Sequence, residues 1–92
     1  MDIGHALKVC RSAKKFSLEE LAGRSGLSQS YLSMIESGKR EPTLTSVQKI
    51  SAAMGIPVTI VLFLASDDEE LRGLDAETKS RLSDAVLEVM RA

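Results

Sequence analysis

The chain has 92 residues, which predicts one small domain, and its apolar residues are mainly aliphatic, with no Trp and only 3% aromatic residues. The net charge of −1 argues weakly against a nucleic-acid partner, but residues 1–65 carry a net +3 and residues 66–92 a net −4. A single cysteine, Cys10, excludes an internal disulfide and is typical of a reducing compartment.

Two helices are predicted in the first quarter of the chain. Helical spacing of apolar residues indicates the first helix over about residues 2–15, from Ile3, Leu7 and Cys10. Ser17 and Glu20 form the S-x-x-E pattern of a capping box, so a second helix is expected to begin at Ser17. We expect this helix to end within residues 23–26.

The most informative pattern lies in residues 18–37, LEELAGRSGLSQSYLSMIES. The small side chain of Ala22 allows two backbones to approach, and Gly26 can adopt the positive φ of a tight corner. A third helix is then expected to begin after the N-cap Ser28 and to stop at Gly38. Its anchors in the core are Leu27, Leu32 and Ile35. The pattern predicts two helices that cross through a short turn, so that the second can enter a DNA major groove.

Two further helices are predicted after a loop. The fourth opens at Thr43 or Leu44 and ends at Gly55, and the fifth covers about residues 58–65 after Pro57. The longest apolar run is residues 58–65, far below the roughly 20 residues of a membrane span, so we expect no membrane association.

Residues 66–92 differ in character from the domain predicted for residues 1–65. Their acidic start, residues 67–70, is expected to be a hinge or a first helical turn, and residues 76–92 show the apolar stripe of an amphipathic helix. This stripe needs a cover. We favour a second copy of the chain, and the alternative is an intramolecular lid. The predicted dimer interface comprises Ile60, Phe63, Leu64, Leu82, Val86, Val89 and Met90.

One face of the third helix stays polar once its apolar residues are assigned to the core. The amide of Gln29 has a donor and an acceptor, which suit a bidentate contact with adenine. Ser30 and Ser33 can bond to base edges or phosphates, and Met34 can contact a thymine methyl. These four residues are the predicted base contacts with double-stranded DNA.

Residues that flank this face are predicted to contact phosphates. Ser37, Lys39 and Arg40 follow the third helix, where the DNA backbone would run, and Ser17 begins the second helix. Tyr31 has two alternatives of equal standing: its hydroxyl contacts a phosphate, or its ring packs on the second helix.

The stretch SLEELAGRSGLSQSYLSMIESGKREPTLTSVQKISAAMGI resembles the helix-turn-helix domain of the phage repressor/Cro family, often called the XRE family. The resemblance covers about residues 3–65 and is closest over residues 32–42. It implies an all-α fold, a five-helix bundle, and residues 66–92, which lie outside the resemblance, add the C-terminal amphipathic helix predicted from their apolar stripe. It also implies binding to DNA as two-fold dimers.

The resemblance implies a role for two charged residues on otherwise inward faces. Arg11 and Glu36 occupy the positions of a structural ion pair between the first and third helices of the family. Ser25 departs from the family pattern, which usually has an apolar residue there.

These features predict a cytoplasmic, sequence-specific transcriptional regulator, a repressor that binds a (pseudo)palindromic operator as a homodimer. The alternative is an antitoxin-type interaction module whose residues 66–92 bind a partner protein. We expect no enzyme activity, cofactor or metal, because His5 and Cys10 lack partners at ligand spacing.

Overall fold

The computed structural model describes residues 1–91, so the predicted end of the last helix at Ala92 lies outside the described residues. Within residues 1–91 the chain contains α-helices, one 3-10 turn and no strand, which confirms the predicted all-α fold. The helices are α1 (Ile3–Ala13), α2 (Leu18–Ser25), α3 (Gln29–Glu36), α4 (Leu44–Met54), α5 (Val58–Ala65) and α6 (Ala76–Arg91), and the 3-10 turn is Glu70–Gly73.

Side-chain caps set the helix starts. The Ser17 hydroxyl accepts the Glu20 N–H at 3.0 Å, and the Glu20 carboxylate accepts the Ser17 N–H at 3.1 Å, so the predicted capping box is present. Ser28 and Thr43 accept N–H groups in the same way at the starts of α3 and α4. Gly26 ends α2 with a φ of 74°, which turns the chain directly into α3.

Two local details differ from the sequence pattern. α1 ends at Ala13 because Lys15 adopts a φ of 61° and the Phe16 N–H bonds to the Arg11 carbonyl at 3.1 Å. Ser25 accepts the Leu27 N–H at 3.3 Å, so the hydroxyl at this usually apolar position finds a partner within the turn.

The core lies between α1, which packs on α5, α3 and α4, and α2, which packs on α3 and α4. Its fully buried side chains include Leu7, Cys10, Leu21, Leu32, Ile35, Val47, Ile50 and Val61. Gly4 allows the closest approach of α1 to α3, because a Cβ at this position would collide with the Ile35 carbonyl oxygen.

The ion pair expected between Arg11 and Glu36 joins α1 to α3. Arg11 Nε lies 2.7 Å and Nη2 2.9 Å from the two Glu36 carboxylate oxygens, and Nη1 donates to the Phe16 carbonyl at 2.8 Å. The bidentate bonds to Glu36 raise the pKa of the Arg11 guanidinium. Both side chains are largely buried, so the pair fixes the orientation of α3 from behind.

The acidic hinge and α6 fold back onto the same chain. Asp67 and Glu70 bond reciprocally to each other's backbone N–H groups, which starts the 3-10 turn, and Asp75 caps α6. The α6 stripe then packs, half-buried, against the core, and Lys14 Nζ donates to the Val89 carbonyl at 2.7 Å. The stripe residues involved are Ala85, Val86, Val89 and Met90. A single chain therefore adopts the arrangement of an intramolecular lid.

This packing corrects part of the predicted dimer interface. Ile60 is only 4% exposed and belongs to the core of its own chain, so it has almost no surface left for a second copy. Leu64 also packs against this core, together with the α6 stripe. Phe63 and Leu82 are half-buried but do not belong to this packed set.

Length and composition decide whether a helix can span a membrane. Within residues 1–91, no single helix is long and apolar enough to cross a membrane. Only α4 and α5 taken together reach the required length, and they meet at a bend of 111°.

Candidate nucleic-acid interface

The exposed face of α3 is polar and uncharged. Gln29, Ser30 and Ser33 are exposed, and no hydrogen bond links their side chains to another described residue. On the opposite face, Leu32 and Ile35 are 2% and 1% exposed and anchor the helix in the core. The first turn of α3, which begins at Gln29, contains no acidic residue. No carboxylate of this turn therefore offsets the positive end of the helix dipole.

The structure adds a residue that the sequence analysis missed. Leu18, the first residue of α2, lines one shallow concave surface together with Gln29, Ser30 and Ser33. We call these four residues the recognition patch. No local pattern marks this role, because the place of Leu18 beside Gln29 depends on how α2 meets α3.

Met34 and Ser37 lie at the other end of α3, outside the recognition patch. Met34 is half-buried, and its carbonyl accepts the N–H groups of Lys39 and Arg40 at 2.9 and 3.2 Å. The Ser37 hydroxyl donates to the same carbonyl at 3.2 Å, so a phosphate contact by its proton would replace this bond. The base contact of Met34 and the phosphate contact of Ser37 remain predictions.

Tyr31 belongs to a hydroxyl cluster with Thr43 and Ser46 at the start of α4. The Thr43 hydroxyl donates to Ser46 Oγ at 2.9 Å, and Ser46 Oγ lies 2.8 Å from the Tyr31 hydroxyl. The contact is with α4, which neither alternative for Tyr31 named. When the Ser46 hydroxyl donates its hydrogen bond to the Tyr31 oxygen, the phenol O–H of Tyr31 can donate to a partner outside the cluster.

The charge around the hydroxyl cluster favours an anion. The bond from Ser46 is the main reason that the pKa of Tyr31 is lowered, and the nearby Arg40 guanidinium contributes. Arg40 lies 5.2 Å above the Tyr31 ring, a cation–π distance that holds its charge beside the hydroxyl. Arg40 and Lys39 are both exposed in the loop after α3.

Ser17 lies at the positive end of α2. Its oxygen accepts the Glu20 N–H, which leaves the hydroxyl proton free for an external acceptor such as a phosphate. The Glu20 carboxylate bonds to the Ser17 N–H, and this bond lowers the pKa of Glu20. This negative charge opposes an anion at the same helix end, so Ser17 is a weaker phosphate site than the region of Tyr31 and Arg40.

The groups that could support other chemistry are dispersed or buried. Cys10 is fully buried, and burial raises the pKa of its thiol. In the part of the chain that the structure describes, no three side chains of His, Cys, Asp and Glu are grouped as metal ligands.

The arrangement of α2 and α3 agrees with comparisons to known proteins. A family model described as helix-turn-helix matches residues 7–61. The HTH-type transcriptional regulator SinR of Bacillus subtilis is 34% identical over 85 residues, which cover 91% of this chain and 77% of SinR. The immunity repressor protein of Bacillus phage phi105 is 32% identical over 62 residues, 67% of this chain and 43% of the phage protein.

Two solved structures share the fold. The restriction-modification controller protein C.AhdI of Aeromonas hydrophila has a TM-score of 0.63 and 35% identity, and the match covers 65% of this chain and 91% of C.AhdI. A chain of the SinR/SinI protein complex has a TM-score of 0.62 and 34% identity, over 94% of this chain and 80% of that one. The chain thus belongs to the phage repressor/Cro-type (XRE) helix-turn-helix family and is a DNA-binding transcriptional regulator.

Proposed function

We propose that this regulator is a repressor that binds a (pseudo)palindromic operator as a homodimer, with α3 in the major groove of each half-site. One observation carries the proposal: Gln29, Ser30 and Ser33 are exposed and unpaired on a helix that buried residues and the Arg11–Glu36 pair hold rigidly from behind. Because the backbone of α3 is already fixed, only the side chains of these residues have to be ordered on binding. Half-sites would then lie about 34–36 Å apart, one turn of DNA.

Within each half-site, the recognition patch supplies the base contacts. Gln29 is the candidate for bidentate recognition of an adenine, because its amide has both a donor and an acceptor and no partner among residues 1–91. Ser30 and Ser33 lie on the same face and add single hydrogen bonds to base edges or phosphates. Met34 is retained as a base contact at the edge of this face.

The phosphate contacts come from residues that surround the patch. Arg40, Lys39 and the Tyr31 hydroxyl form one group beside α3, and Ser17 and Ser37 are further single contacts. They would fix the register of α3 on the duplex without discriminating between sequences. Binding should therefore weaken with salt as counterions are released.

Selection of bound oligonucleotides, followed by fluorescence anisotropy on the selected operator, tests this function. We expect Gln29→Ala to lose about 1–3 kcal/mol of discrimination at one base pair of each half-site. Gln48→Ala is the matched control, because Gln48 is an exposed glutamine of α4 outside the recognition patch. Arg40→Ala should weaken binding to all sequences similarly and reduce the salt slope by about 1.

Two results would contradict the proposal. If no sequence is enriched at any salt concentration, the protein does not recognise an operator by itself. If Gln29→Ala and Gln48→Ala change the selected consensus equally little, Gln29 does not supply the proposed base contact.

A second candidate function concerns the C-terminal helix. The solved SinR/SinI structure is a complex between two proteins, and 94% of the present chain is covered by the match to one chain of that complex. Here α6 is held by half-buried side chains and one hydrogen bond to Lys14, which a competing helix could replace. We propose that a partner protein binds through residues 66–91, and co-expression with the product of a neighbouring gene, followed by co-purification, tests it.

The cellular setting follows from the same function. We propose a cytoplasmic location, where the operator is accessible, and no catalytic role. The relatives support this proposal because they are transcriptional regulators.

A further inference from the structure

We propose that Leu18 is a specificity determinant that contacts the methyl group of a thymine next to, or paired with, the base that Gln29 recognises. The inference rests on the proposed entry of α3 into the major groove. It assigns a base contact to α2, in addition to those of α3.

The first step is the geometry of Leu18. It is the first residue of α2, and the Ser17–Glu20 capping box fixes the backbone at this point. Its side chain is half-buried: one part packs against the core, and another lines the recognition patch beside Gln29. Leu18 is therefore an apolar group that is already ordered before DNA binds.

The second step is the chemistry of the recognition patch. Gln29, Ser30 and Ser33 are polar and uncharged, so Leu18 is the one apolar side chain among the four. The side chain of a leucine cannot form a hydrogen bond with a phosphate or with the polar edge of a base. The apolar feature that the major groove offers is the C5-methyl group of thymine. An adenine bound by Gln29 is paired with a thymine whose methyl group lies in the same groove.

Leu18 is better placed for a thymine-methyl contact than Met34, for which the sequence predicts such a contact. Met34 is half-buried and lies outside the recognition patch, near the C-terminal end of α3. The N-terminal residues of a recognition helix are those that contact base edges. Leu18 lies beside this N-terminal part of α3, so it is the better-placed apolar group.

Replacing individual thymines by deoxyuridine in the selected operator tests the contact, because deoxyuridine lacks only the methyl group. For the wild-type protein, we expect one thymine per half-site whose replacement weakens binding about fourfold, the effect of burying one methyl group. For Leu18→Ala, the same replacement should change affinity by less than about 1.5-fold, since the partner of the methyl group is gone. Val9→Ala is the control and should retain the wild-type response, because Val9 is an exposed apolar residue of α1 outside the recognition patch.

The variants must be folded for this comparison, so circular dichroism melting curves accompany each titration. Because Leu18 also packs on the core, Leu18→Asn provides a second variant that keeps most of the side-chain volume and lacks the apolar end. Loss of the deoxyuridine effect in either folded variant supports the proposal.

Two outcomes overturn it. The role of Leu18 is wrong if the deoxyuridine effect persists in Leu18→Ala or Leu18→Asn, or if Val9→Ala also abolishes it. Failure of the proposed function gives a different result, because no operator is then enriched for the wild-type protein. In that case both the docking of α3 in the major groove and the role of Leu18 are refuted.

Discussion

At the scale of single residues, Gly4 controls the distance between α1 and α3. A Cβ at this position would collide with the Ile35 carbonyl oxygen, a backbone atom that cannot move without shifting α3. We expect Gly4→Ala to destabilise the protein by about 1–3 kcal/mol, the usual effect of overpacking, although alanine is the better helix former. Urea unfolding followed by circular dichroism measures the change.

Gly23 provides the matched control because it lies inside α2 with open space where a Cβ would be. Gly23→Ala should stabilise the protein by up to about 1 kcal/mol through helix propensity. Equal effects of the two substitutions would show that steric contact between α1 and α3 is not what limits position 4.

Some residue contacts could not be inferred from the sequence because they depend on how helices meet. The hydrogen bond between the Tyr31 and Ser46 hydroxyls joins α3 to α4 across 15 residues, and no local pattern marks it. Leu18 was missed for the same reason: its place beside Gln29 depends on how α2 meets α3. By contrast, the exposed position of Gln29 could be predicted from helical periodicity alone, because Leu32 and Ile35 occupy the core-facing positions of α3.

At the scale of elements, the caps of the helices are local and were therefore predictable. The Ser17–Glu20 box, Ser28 and Gly26 act within four residues of chain, so residue type and spacing were sufficient to place them. The acidic run at 67–70 was less specific. Only the structure shows that Asp67 and Glu70 serve as caps of a 3-10 turn.

The capping box predicts a pH dependence of stability. The hydrogen bond from the Ser17 backbone N–H is the main reason that the pKa of Glu20 lies below its unfolded value of about 4.3. The contribution of this carboxylate is therefore complete above about pH 4.3 and is lost as the pH falls through the folded-state pKa. We expect the urea midpoint to fall between about pH 5 and pH 3, and Glu20→Gln to reduce this fall.

Glu19→Gln tests whether the effect belongs to the cap. Glu19 lies in the same turn of α2 and is exposed, but it forms no capping bond. Its replacement should therefore leave the pH dependence of the urea midpoint unchanged. If Glu19→Gln and Glu20→Gln flatten the profile equally, general charge at the helix end, rather than the cap, is responsible.

At the scale of the whole molecule, the sequence located the apolar stripe of α6 but could not decide what covers it. The same half-buried stripe satisfies a lid or a dimer, because periodicity shows which face is apolar and not which surface meets it. In one chain the lid forms, with Lys14 bonded to the Val89 carbonyl near the negative end of α6. A homodimer therefore has to use the apolar surface that the lid leaves uncovered.

Phe63 and Leu82 are the predicted interface residues that remain outside the packed core, so they are the candidates for contact with a second copy. We expect the wild-type protein to sediment at about twice the 10.0 kDa mass of one chain, and Phe63→Glu to sediment as a single chain with a similar melting temperature. Ser83→Glu is the control, because Ser83 is an exposed polar residue of α6. Its dimer should persist. If the wild-type protein sediments as one chain, the homodimer is refuted and α6 has the role of a lid. If Phe63→Glu still sediments as a dimer, the interface lies on another surface.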